Sequence, residues 1–195
     1  VADEPTGNLD TKSANRIIEL FEDLARSGKT VVMVTHDPSL TSRTNRNIII
    51  VDGELTNETV ARALPGLHHR HLLEFTKLAE VQRYSPNQTI ISPDAPVENF
   101  FMIQKGEVEV TLRQEESHEI LISRLKPGEF FGEIELLQST TSIAEVRAGQ
   151  DEAVEVLMLK REDFLRVMKE SPITADEIAK IAEQRVNRFR EVENV

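Results

Sequence analysis

The chain has 195 residues, of which 39% are hydrophobic and 29% charged. That is the composition of an ordinary globular protein, with length enough for two small domains. It has no cysteine, which excludes disulfides, thiolate metal sites and cysteine nucleophiles, and no apolar run approaches the roughly 20 residues of a membrane-spanning helix. A net charge of −11, spread over the whole chain, repels phosphate backbones, so no nucleic-acid partner is expected.

The chain opens on Val1 rather than methionine and has no charged-then-apolar leader. Val1 and Ala2 read as the end of a buried strand, so an N-terminal portion is expected to be missing. A polar turn rich in Pro, Gly and Asn runs from Asp3 to Asp10. Apolar residues at Ala14, Ile17, Ile18, Phe21, Leu24 and Ala25 then predict a helix over Thr11–Ser27, stopped by Gly28. Thr30 to Thr35 is an almost wholly apolar strand of the kind found in parallel sheets covered on both faces. His36-Asp37-Pro38 opens another short helix, and Asn47 to Val51 is a strand turned back at Asp52-Gly53. Strand, helix, strand, helix, strand is the order of an α/β domain cut off at its front.

Residues 57–66 lead into a helix over Leu67–Glu80. From Val81 onward short strands recur between turn signals at Ser85-Pro86-Asn87, Pro93-Asp94, Lys105-Gly106, Glu115-Glu116 and Lys126-Pro127-Gly128. Phe100 to Ile103 and Val108 to Leu112 read as neighbouring strands, and Val154 to Leu159 as the last one. This spacing predicts an all-β roll or barrel, with Gly106 and Gly128 at turns that need positive φ or close backbone approach. Helices follow over Glu162–Lys169 and roughly Thr174–Glu193. The second carries a stripe of Ile178, Ile181, Ala182, Arg185, Val186 and Phe189, which serves either as a dimer helix or to pack on the roll. The domain boundary is placed near residue 62, giving 1–61 and 62–195.

Asp3-Glu4-Pro5-Thr6-Gly7-Asn8-Leu9-Asp10 is the most informative octet. Acidic side chains at the C-terminal end of a parallel strand lie where α/β folds bind ligands. One carboxylate there can hold Mg²⁺ through water, and the next can orient or deprotonate an attacking water. Two acids alone are more often a solvated turn. The octet, together with Val34-Thr35-His36-Asp37 and the closing Ile48 to Leu55, resembles the end of the ATPase domain of ABC transporters. Within that family it is most similar to the ATP-binding subunits of macrolide and lipoprotein export. The resemblance implies a truncated P-loop NTPase fold with ATP and Mg²⁺ as ligands. Asp3 would be the Mg²⁺-associated aspartate, Glu4 the catalytic glutamate and His36 the residue that contacts the γ-phosphate. Asn8, Leu9 and Asp10 would form the loop that meets the opposite subunit of a homodimer. It also implies a membrane permease as partner and a cytoplasmic, peripheral location at the inner face of the membrane. No G-x-x-x-x-G-K-[ST] phosphate loop occurs in these residues, so the chain alone is expected to hydrolyse no ATP.

Residues 67–170 resemble the cyclic nucleotide-binding domain of cyclic-AMP-responsive regulators, kinase regulatory subunits and gated channels. The similarity covers Leu67 to Leu73, Tyr84 to Ile91, Phe100 to Leu112, Leu125 to Leu137 and Ala144 to Ala148. It implies a double-stranded β-roll with flanking helices and a pocket at Phe131, Gly132, Glu133, Ile134, Ser142, Ile143 and Ala144. There a short helix N-terminus would face a cyclic phosphate and Glu133 a ribose hydroxyl. Ungapped alignment puts Ser142 where the family has its phosphate-binding arginine, and Glu135 where it has a small residue. Losing a charge-assisted contact costs about 1.5–3 kcal/mol, and an inward Glu135 adds repulsion. Arg147 is expected to point outward from its strand and is no substitute. Two readings follow for the pocket: a structural or protein-contact module, or a site for something other than a classical cyclic nucleotide.

His68, His69 and His71 are read as a solvated helix start rather than a metal site. Together these features predict an ATP-binding ABC subunit with a fused regulatory domain. The alternative is a non-enzymatic ligand-sensing or dimerisation module carrying a vestigial ATPase remnant. A transcription factor of the cyclic-AMP type is disfavoured by the charge and by the lack of a helix-turn-helix within these residues.

Overall fold

The computed structural model describes residues 1–114 and 118–193; the turn expected at Glu115-Glu116 lies outside them. The chain divides into two compact units, Val1–Asn47 and Ile48–Val195. The hairpin and helix at residues 50–63 therefore count with the second unit, although the family resemblance groups residues 1–61.

In the first unit, strand β1 (Ala2–Asp3) is followed by helix α1 (Thr11–Arg26), strand β2 (Met33–Val34) and a 3₁₀ turn over Pro38–Arg43. Strands β1 and β2 pair in parallel, Ala2 with Met33 and Asp3 with Val34. Asp10 starts α1 by accepting from the backbone N–H groups of Lys12 and Ser13, and Gly28 ends it at φ +85°. The strand expected over residues 30–35 is shortened to two residues. Val32 and Val34 stay half exposed, because β1 is the only strand paired with β2 among the described residues.

The second unit opens with a hairpin, β3 (Ile50–Val51) and β4 (Glu54–Leu55). Asp52 and Gly53 turn it with positive φ at both positions, the geometry that matches strand twist. Helix α2 (Glu58–Ala63) follows, capped by the Asn57 side chain on Thr59 N–H. Next comes α3 (His69–Leu78), which starts later than its apolar pattern predicts. It also stops sooner, since Glu80 already pairs with Met158 in a ladder.

Among the described residues eight strands build the roll: β5 (Glu80–Tyr84), β6 (Thr89–Ile91), β7 (Asn99–Lys105), β8 (Val108–Gln114), β9 (His118–Leu125), β10 (Phe130–Phe131), β11 (Glu145–Ala148) and β12 (Val154–Lys160). They form two four-stranded sheets, β10-β7-β12-β5 and β6-β11-β8-β9. Strands β7 and β8 thus stand in different sheets and are not the neighbours their sequence proximity suggests. The chain crosses between sheets at Gly106, φ +81°, where a Cβ would lie 2.9 Å from Ala153 O; only glycine fits without a shift.

Phe100, Phe101, Met102 and Ile103 are all buried, without strand alternation. Helix α2, the short α4 (Glu133–Gln138) and α5 (Arg161–Glu170) also contact β7, so both of its faces are covered. Phe100 stacks on Phe164 at 4.5 Å and Phe101 on Phe131 at 4.8 Å. The last helix, α6 (Pro172–Glu193), lays its stripe against the roll, burying Ile178, Ala182 and Phe189. Of the histidine cluster, His68 and His69 are exposed and only His71 departs from expectation: it is buried, and its Nε2 lies 3.2 Å from Glu170 Oε2.

Candidate functional site

Each unit carries one constellation. In the first, parallel pairing brings the C-terminal ends of β1 and β2 side by side. Glu4 N–H donates to Val34 O at 2.9 Å, and Glu4 itself turns the chain at φ +42°. Its carboxylate reaches the next strand end, where Oε1 accepts the His36 backbone N–H at 3.0 Å and lies 2.8 Å from His36 Nδ1. Thr35 Oγ1 donates to Glu4 Oε2 at 3.5 Å. The hydrogen bond and charge of Glu4 raise the His36 pKa above the ordinary imidazole value.

Asp3 is exposed beside this pair, and Asn8 and Leu9 are exposed in the following turn. Asp10 is committed to capping α1, also accepting from Ser13 Oγ at 2.7 Å. That bond and the backbone donors lower its pKa. Among the described residues no group of three or more His, Asp or Glu side chains could hold a metal ion.

The second constellation is a cavity of about 530 Å³ in the roll. Its floor is set at Gly132, which enters α4 at φ +86° with an added Cβ only 2.8 Å from Asn99 O. This turn drives Glu133 into the interior, where it is 1% exposed. Arg185, from α6, meets it: Nη1 donates to Glu133 Oε1 at 2.7 Å and to Phe130 O at 2.8 Å. The guanidinium lies 5.1 Å over the Phe130 ring. Burial pushes the Glu133 pKa up, and Arg185 offsets part of that rise.

Two residues further along α4, Glu135 also lines the cavity and is buried. Ser142 Oγ donates to Glu135 Oε1 at 2.9 Å. Ser142 is itself held by backbone bonds, its N–H to Ala95 O and its C=O from Asp94 N–H. The inward Glu135 envisaged from the alignment is therefore realised. Phe131, Ile134 and Ala144 line the cavity, whereas Ile143 is 51% exposed and outside the lining. Alternation along the chain turns it outward between buried Ser142 and Ala144. Arg147 faces away and is neutralised by Glu109 at 3.2 Å and Glu119 at 2.8 Å.

Arg185 is the site residue that sequence reasoning missed. Its signal was a lone cation inside an apolar helical stripe, a position that demands a buried counter-charge.

Comparison with known proteins fits this geometry. Residues 81–171 match the family model described as cyclic nucleotide-binding domain. The catabolite activator protein of Thermus thermophilus superimposes with a TM-score of 0.56 at 25% identity, covering 66% of this chain and 59% of its own. The chain therefore carries a cyclic nucleotide-binding domain. Two further structures share the fold, both regulatory subunits of a cAMP-independent protein kinase A. That of Trypanosoma cruzi, bound to guanosine, has 21% identity and a TM-score of 0.58, covering 70% of this chain and 47% of that one. The other, from Trypanosoma brucei, has 21% identity and a TM-score of 0.57, covering 70% and 48%. It is a mutant with Glu changed to Ala, Thr to Arg seven positions on and Val to Ala at the next, bound to cAMP in its A site.

Curated relatives match shorter segments. The ABC transporter ATP-binding protein YvrO of Bacillus subtilis is 54% identical over 55 residues, 28% of this chain and 24% of its own length. The macrolide export ATP-binding/permease protein MacB of Marinobacter nauticus is 50% identical over 60 residues, 31% of this chain and 9% of its own. The chain thus spans about a quarter or less of these relatives. Among the described residues no helix is long and apolar enough to cross a membrane.

Proposed function

We propose that this chain is the ATP-binding end of an ABC-exporter subunit joined to a regulatory β-roll. The observation that carries the first part is the Glu4 carboxylate held 2.8 Å from His36 Nδ1 at adjacent parallel strand ends, supported by the 54% and 50% identical segments of ABC proteins. In this reading Asp3 holds Mg²⁺ through water, and the ion supplies charge neutralisation for phosphate oxygens. Glu4 accepts a proton from, or orients, the attacking water, and His36 contacts the γ-phosphate. Asn8, Leu9 and Asp10 face the opposite subunit of a homodimer, and a membrane permease is the partner at the inner membrane face.

The test is ATP turnover. Purified alone, the 195-residue chain turns over no ATP, having no phosphate-cradling loop; Mg²⁺-dependent hydrolysis by it would refute that. The protein as expressed from its gene should hydrolyse ATP and lose at least a hundredfold of its rate in Glu4→Gln. Full activity of that variant sinks the catalytic assignment. The second reading is a ligand-sensing or dimerisation module with a vestigial ATPase remnant. No ATP turnover by the protein expressed from its gene would support it.

In the first reading the β-roll is the sensing part, and its pocket as it stands does not suit a cyclic phosphate. The three positions substituted in the cAMP-bound T. brucei mutant are spaced seven and one apart. Glu135, Ser142 and Ile143 stand at the same spacing here. A phosphate placed beside Ser142 would meet the Glu135 carboxylate. Two unit charges 5 Å apart repel by about 3 kcal/mol at an effective dielectric of 20.

A further inference from the structure

We infer that the cavity of the β-roll takes an uncharged ribonucleoside, recognised through its free hydroxyls; this rests on the sensing role proposed for the roll. The interior of the cavity offers acceptors rather than cations. Glu133 and Glu135 both line it and both are buried. Of the four arginines in the lining, Arg62, Arg124 and Arg188 are exposed at the rim. Arg124 is turned to Glu107 and Glu109, and Arg62 donates to Pro127 O. The fourth, Arg185, is half-buried and bound to Glu133 Oε1 and Phe130 O. Glu135 has no cationic partner among the described residues; its side chain accepts from the Ser142 hydroxyl.

Such a lining selects by proton inventory. A nucleoside carries donors at its 2′, 3′ and 5′ hydroxyls, and ionised carboxylates are acceptors only. The vicinal diol suits Glu133, whose charge Arg185 already balances, while a remaining hydroxyl suits Glu135. A 3′,5′-cyclic nucleotide has lost two of those three donors. It presents an anion in their place, against a carboxylate that has no counter-charge. The apolar part of the ligand has its own surface in Ile91, Val110, Val146, Ile181 and Phe189. The Arg185 guanidinium, a planar group 5.1 Å over the Phe130 ring, adds a face on which a heterocycle can stack. At about 530 Å³ the cavity falls within the ordinary range for small-molecule sites.

The experiment is calorimetry on the unmodified chain, titrated separately with adenosine, guanosine, cytidine and uridine, with the 2′-deoxy form of the best binder, and with its 3′,5′-cyclic monophosphate. At least one ribonucleoside should bind at least tenfold more tightly than its cyclic monophosphate and tenfold more tightly than its 2′-deoxy form. Equal or tighter binding of the cyclic monophosphate overturns the ligand class and leaves the sensing role standing. Equal binding of the 2′-deoxy form removes the diol contact and overturns the inference as well. No heat from any of these ligands, with the roll shown folded by circular dichroism, overturns both and leaves a protein-contact module.

Discussion

The Ser142 hydroxyl and the Glu135 carboxylate, 2.9 Å apart and both buried, occupy the part of the roll where the family resemblance places an arginine and a phosphate. The pair closes that corner with a neutral donor and an acid. Replacing these two residues and the adjacent, outward-facing Ile143, by Glu135→Ala, Ser142→Arg and Ile143→Ala together, should create cyclic AMP affinity. The gain expected is tenfold or more over the unmodified chain, since an arginine–phosphate bond adds about 1.5–3 kcal/mol. Calorimetry with cyclic AMP reads it directly, and an unchanged affinity in a folded triple variant contradicts the alignment.

The Glu4–His36 pair predicts a titration. Attraction from Glu4 holds His36 above its ordinary value of 6.5, so the pair strengthens the fold below that pH. The contribution fades as pH rises through the elevated value. In Glu4→Gln the His36 ring resonances, followed by NMR, should titrate closer to 6.5. An unshifted midpoint would show that the contact does not persist in solution.

Glu133 predicts the opposite kind of pH dependence from an acid in a surface salt bridge. Its folded pKa is raised by burial and by Glu135, against the lowering effect of Arg185 from α6. The folded state therefore binds the proton more tightly. The resulting stability is present below about 4.5 and lost as pH rises through the higher folded value. Glu133→Gln should remove this slope. Arg185→Ala should extend it to higher pH and cost about 3 kcal/mol near neutrality, because a buried charge is left unpaired. Tyr84, the single tyrosine, lies in the second unit, so its fluorescence during urea unfolding reports on the roll.

Gly132→Ala tests the turn that delivers Glu133. With φ at +86° and Asn99 O only 2.8 Å from the added carbon, the substitution should destabilise the roll by about 2 kcal/mol or more. It should also weaken any ligand contact made through Glu133. The same urea titration checks it, and a loss under 0.5 kcal/mol would mean that the turn relaxes freely.

Much of the architecture is written locally. The cap at Asp10, the positive-φ turns at Gly28, Asp52-Gly53, Asn87 and Asp94, and the α6 stripe each depend on a few adjacent residues. Such signals survive in a single sequence because propensity and capping act over one turn of chain. The meeting of Glu4 with His36 also follows from the chain itself, since both stand at the ends of apolar strands and parallel pairing aligns those ends.

Other features depend on which distant surfaces pack together. Sequence proximity suggests β7 and β8 as neighbours, yet the crossing at Gly106 places them in opposite sheets. His71 looks like a solvated residue until α3 buries it beside Glu170. The sequence by itself determined that a serine, Ser142, stands where the family resemblance leads one to expect the phosphate arginine, and that an acid stands at residue 135. Only the tertiary structure decided that these two bond to each other, and that Arg185, 52 positions beyond Glu133, closes on it. Side chains so far apart meet through the docking of α6 on the roll, and that docking is set by burial of Ile178, Ala182 and Phe189. Charge pattern alone carries no information about it, because burial decides which charges must find a partner.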